Sequence, residues 1–145
     1  MRRAQRIKPV QTLVEDTERK LQRSLASAQR QLVQAEAKLA ELERYCEEYR
    51  KQFAERALKG MDAPGLRDYQ VFLARLNEAI RQQQAIVARA RAERDAERQR
   101  WQSAATRAKA LGHVVERWRV EEQRIQDRRE QREIDERAQR QVSRP

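Results

Sequence analysis

From Leu21 to Phe53 the apolar and small residues return in alternating steps of four and three: Leu21, Leu25, Ala28, Leu32, Ala35, Leu39, Leu42, Cys46, Tyr49, Phe53. An α-helix with that repeat carries one narrow apolar seam, and the seam stays dry only against another helix. A second seam begins at Leu66 and runs Tyr69, Leu73, Leu76, Ile80, Gln83, Val87, Ala90, Arg94, Glu97, Trp101, Ala104, Ala108, Leu111, Val115, Trp118, again alternating throughout. These two seams restrict the chain to an all-α fold of long paired helices.

The one strong break lies between them, at Gly60-Met61-Asp62-Ala63-Pro64-Gly65. Gly60 suits the left-handed position that ends a helix, Asp62 can cap the next one, and Pro64 fits its first turn. A short connection between two amphipathic helices makes them antiparallel neighbours. The expected fold is therefore a single antiparallel coiled-coil hairpin over residues 1–145, with helix one about 10–58, a turn about 59–64 and helix two about 65–140.

In that register Phe53 meets Tyr69, Cys46 meets Leu76, Leu42 meets Ile80, Leu32 meets Ala90 and Leu21 meets Trp101. Arg94 and Glu97 are the weak layer, where long stems can cover apolar surface while their heads reach solvent. Upstream, Val10, Val14 and Thr17 extend the first seam with one extra step of four before Leu25, a stutter that would locally unwind the supercoil. Helix two outruns its partner. From about Arg119 its few apolar residues, Val120, Ile125, Ile134, Ala138 and Val142, make a poor seam alone, as expected of an end that frays or is completed by a partner.

Composition would suggest disorder, since charged residues make up 39% of the chain. Periodicity and the scarcity of helix breakers, three Gly and three Pro, decide for helix. The formal net charge of +10 attracts acidic partners of any kind without selecting one. The single Cys excludes an internal disulfide. The basic start, Met1-Arg2-Arg3-Ala4-Gln5-Arg6, leads into no apolar stretch, so neither a signal peptide nor a membrane span is expected, and a cytoplasmic location is.

No catalytic constellation, cofactor motif or metal-ligand spacing is present in the sequence. His113 stands without nearby ligands and follows Gly112, which fits a surface or kink-site histidine. Cys46 reads as a small buried seam residue. Trp101 and Trp118 are in seam register rather than on an exposed stacking platform, and no dense Lys/Arg block marks a nucleic-acid arm. The aromatics near the turn stand out. Tyr45 and Phe72 fall at g positions beside the seams, and with Leu42, Tyr49, Leu76 and Ala79 they form one strip on the hairpin's flank, suited either to widening the core or to anchoring a protein.

These residues resemble the bacterial flagellar export protein family FliJ. The likeness rests on Leu42-Glu43-Arg44-Tyr45-Cys46-Glu47-Glu48-Tyr49-Arg50 before the turn, Tyr69-Gln70-Val71-Phe72-Leu73-Ala74-Arg75-Leu76-Asn77-Glu78-Ala79-Ile80 after it, and Glu133-Ile134-Asp135-Glu136-Arg137-Ala138 near the end. The resemblance implies a non-enzymatic, cofactor-free stalk of the flagellar type III export apparatus. It would link the hexameric export ATPase to the cytoplasmic domain of the membrane export gate, with export chaperones as further candidate partners. It implies a cytoplasmic protein held peripherally at the inner membrane through those partners. In the family a flank strip contacts the gate; it maps here onto Leu42, Tyr45, Tyr49, Phe72, Leu76 and Ala79, plus Lys38 and Gln83, where Gln and His are usual. By the same analogy the termini enter the ATPase ring. The alternatives are the equivalent stalk of a virulence-type secretion system and a basic coiled coil that binds nucleic acid.

Overall fold

A computed structural model describes residues 2–143, which form two α-helices, α1 (Arg3–Leu58) and α2 (Ala63–Val142). The fold is all-α, and the helices pack against each other. Their contacts divide into two compact units, Leu21–Arg100 and the pair of segments Met1–Lys20 with Trp101–Pro145.

In the Leu21–Arg100 unit the chain reverses as the sequence predicts. Gly60 takes a φ of 95°, and its N–H donates to the Ala57 carbonyl at 3.3 Å while that of Lys59 reaches Arg56 at 3.1 Å. These bonds use carbonyls that the helix end would leave open. On the far side Asp62 caps α2, its Oδ1 accepting the Gly65 N–H at 2.9 Å.

Leu32, Ala35 and Val87 form the buried centre of this unit, with Leu39 and Ala90 packed against them. The Phe53 and Tyr69 rings stack with centroids 3.5 Å apart. Both groupings match the antiparallel register read from the seams. Cys46 is buried as expected, its thiol donating to Asn77 Oδ1 at 3.8 Å. The Arg94 head turns to Asp95 at 2.7 Å and to Gln29 at 3.3 Å, so the weak layer is closed by its own polar ends.

The other unit pairs the start of α1 with the later part of α2. Here the structure corrects the expected seam. Val10, Leu13 and Thr17 are exposed, and among the half-buried residues, which also include Glu15, Ala4, Ile7, Gln11, Val14 and Glu18 form a seam. That series keeps the alternation of three and four up to Leu21, so there is no stutter. The reason lies in Glu18, a carboxylate at a seam position. The Trp101 indole N–H donates to its Oε1 at 2.8 Å, which satisfies an acid that sequence reasoning would keep out of a core.

Helix α1 also starts earlier than about residue 10, with Pro9 inside it. Its N-terminus is held by α2. Glu122 Oε1 accepts the Ala4 N–H at 3.5 Å, Arg3 pairs with Glu121 at 3.5 Å, and the Arg3 guanidinium lies 5.2 Å from the Trp118 ring. Acidic groups there also suit the positive end of the helix dipole. Beyond Gln126 every described residue of α2 is exposed. That stretch is supported locally by Gln amides donating to acids four residues on, Gln126 to Glu130 at 3.3 Å and Gln131 to Asp135 at 3.1 Å. Helix α2 passes Gly112 and the exposed His113 unbroken.

Two glycines should respond oppositely to a methyl group. Gly60→Ala is expected to lower stability by about 1–2 kcal/mol, because only glycine takes that φ freely. At Gly112 a Cβ meets nothing within 4 Å, so Gly112→Ala should raise stability by about 0.5–1 kcal/mol through the helix backbone. Equilibrium denaturation midpoints read both signs.

Candidate protein-binding flank

The heptad fixes what each side of the Leu21–Arg100 hairpin presents. Core positions face the partner helix, and in an antiparallel pair the e positions of one helix border the e positions of the other, as g borders g. The e side carries Gln29, Glu36, Asn77 and Arg91; the g side carries Gln31, Lys38, Tyr45, Phe72, Ala79, Ile86 and Glu93.

On the g side near the turn the structure gathers three expected aromatics. Tyr45 and Phe72 meet edge to face, with centroids 6.2 Å apart and planes at 72°. Tyr49 lies 4.4 Å from Phe72 and stacks on Tyr69 at 5.2 Å. Phe53 then stacks on Tyr69, so one aromatic run reaches from the exposed edge to the turn. Such contacts add to plain area burial and hold rings in one orientation, and a rigid ring costs less entropy to dock than a flexible side chain. Tyr45 remains 51% exposed.

The eight expected contact residues do not share one environment. Lys38 is exposed beside the strip, while Leu42, Tyr49, Phe72 and Ala79 are half-buried. Leu76 is only 7% exposed and Gln83 only 5%. These two are interior, and the Gln83 amide donates to the Ala35 carbonyl at 3.0 Å. Of the eight these two are the least open to a partner, whereas Leu42 and Tyr49, at seam positions as well, keep part of their surface exposed. Next to Ala79, the Arg81 guanidinium bonds to the Glu78 carboxyl and holds it below the usual carboxylate range.

Sequence reasoning passed over Ile86, which continues the same side one heptad beyond Ala79 and is 44% exposed. Its heptad position was the available signal. Among the described residues there is no group of His, Cys, Asp or Glu able to hold a metal, and no helix is long and apolar enough to cross a membrane.

Compared with known proteins, residues 3–145 match the family model described as "Flagellar FliJ protein". No curated protein and no solved structure matches the chain.

Proposed function

The chain belongs to the flagellar FliJ family, and on that footing we propose that it acts in flagellar protein export as a non-enzymatic stalk. It links the hexameric export ATPase to the cytoplasmic domain of the membrane export gate. The observation that supports this reading most is the exposed aromatic edge, Tyr45 against Phe72, on a pair of helices rich in charge. Aromatic anchors of that kind carry a disproportionate share of protein-binding energy.

In this proposal the chain performs no catalytic step and holds no cofactor. It works at the cytoplasmic face of the inner membrane, at the flagellar base, and reaches the membrane only through partners. Lys38, Leu42, Tyr45, Tyr49, Phe72 and Ala79 make the gate contact together with the more deeply buried Leu76 and Gln83. The exposed end of α2 and the N-terminus of α1 serve the ATPase ring, and export chaperones remain candidate partners. The nucleic-acid alternative is less well supported, because Trp101 and Trp118 are already engaged with Glu18 and Arg3.

The test is a pull-down and titration with the purified cytoplasmic domain of the gate. Tyr45→Ala and Phe72→Ala should each weaken binding on the order of ten-fold, the loss typical of an aromatic anchor. Helical content should stay unchanged, since Tyr45 leaves no buried cavity behind. If both variants bind like the native chain, the strip is not the gate contact.

A further inference from the structure

The two sides of the Leu21–Arg100 hairpin are finished differently. On the e side polar groups tie the helices together: Arg91 pairs with Glu36 at 3.4 Å, Arg94 donates to Gln29 at 3.3 Å, and the Cys46 thiol donates to Asn77. On the g side, among the described residues, no hydrogen bond or ion pair joins a side chain of one helix to a side chain of the other, and the Gln83 amide that reaches the Ala35 carbonyl is buried. Aromatics occupy it near the turn. Past them an open groove of about 440 Å³ runs over Ala35 and Ala90, between Gln31 on one wall and Ile86, Arg89 and Glu93 on the other.

We infer that this open side is one continuous docking face, extending from Tyr45 and Phe72 past Ile86 to Glu93, and that it takes an amphipathic helix with acidic flanks. The inference rests on the gate-binding reading and enlarges it: the helix belongs to the same partner that the aromatic strip holds. Ile86 is 44% exposed on the groove's edge, while the alanine floor lets a third backbone approach to the 8–10 Å of ordinary helix packing. The charges specify the occupant. Among the described residues Lys38 and Arg89 are in no ion pair, which suits acids opposite them, and the unpaired Glu93 asks for one base. An apolar stripe pressed on Ile86 would leave those charges at a solvated rim, the usual anatomy of an interface.

The experiment uses the full chain and the purified gate domain, with affinity measured for Ile86→Arg, the double variant Lys38→Glu/Arg89→Glu, the e-side control Arg91→Ala, and Tyr45→Ala. Ile86→Arg is expected to weaken binding on the order of ten-fold and the charge reversal to weaken it in a salt-dependent way, with Arg91→Ala near native. Matching denaturation midpoints would confirm that all variants fold. If Ile86→Arg binds like the native chain while Tyr45→Ala does not, the extended face is wrong and the gate reading stands. If every variant binds equally, or the native chain does not bind, both fail. Tighter binding on charge reversal would overturn the acid-flanked occupant. So would a dimer of the free chain that Ile86→Arg dissolves, because the occupant would then be a second copy.

Discussion

Leu32→Ala is expected to lower the free energy of unfolding by about 2–4 kcal/mol, a large fraction of what a chain this size holds in reserve. Leu32 is the most buried residue of the core, 3% exposed, and its neighbours Ala35 and Ala90 are too short to fill the space it would leave. A two-helix core is one layer thick, so the loss cannot be shared with a second shell of side chains. In a thermal melt followed by helical ellipticity the midpoint should fall by roughly 5–15 °C. Val33→Ala, one residue away on the outer face and 54% exposed, should stay within about 0.5 kcal/mol of native. Equal effects at the two positions would mean that the seam does not hold the hairpin together.

Trp101→Ala should cost about 3 kcal/mol, combining lost aromatic packing with an acid left at a seam position without its donor. The parts can be separated. Trp101→Phe keeps most of the ring but removes the N–H that Glu18 accepts at 2.8 Å, so about 1–2 kcal/mol of the loss should appear in it alone. Adding Glu18→Leu to Trp101→Phe removes the orphaned acid and should recover most of that smaller loss. Urea denaturation of the native chain, Trp101→Phe, Glu18→Leu and the double variant closes the cycle. If Trp101→Phe is as stable as native, the indole bond does not explain why the seam admits an acid.

Much of this architecture is legible in the residues themselves. From Leu21 onward the alternation of three and four identifies the buried positions, and Gly60 and Asp62 mark the reversal by requirements of backbone and cap that few other residues meet. The start of α1 is not legible in the same way. Val10 is more apolar than Gln11, and Thr17 is less costly to bury than Glu18, so hydrophobicity alone selects the wrong set. The contact that reverses the choice comes from Trp101, far along the chain, and no local pattern announces it. Pro9 likewise argues against helix in isolation. The flank divides along similar lines. The g-position aromatics were visible as a strip, whereas the interior placement of Leu76 and Gln83 follows from how seam residues face the partner helix. The difference between the tied and open sides emerges only when cross-helix bonds are seen together.

The contacts that align the two arms also constrain how such a chain can change in length. Phe53 lies on Tyr69, Gln83 reaches the Ala35 carbonyl, and Arg91 reaches Glu36, each spanning the turn at its own distance from it. Excising one heptad from α1 between Ala35 and Phe53 would keep every seam residue in phase, yet it would slide Ala35 and Glu36 past their partners by two helical turns. A matching excision between Tyr69 and Gln83 would restore both. Length in this hairpin can therefore be traded only in equal portions from the two arms, and an unmatched insertion would shift every pairing beyond it.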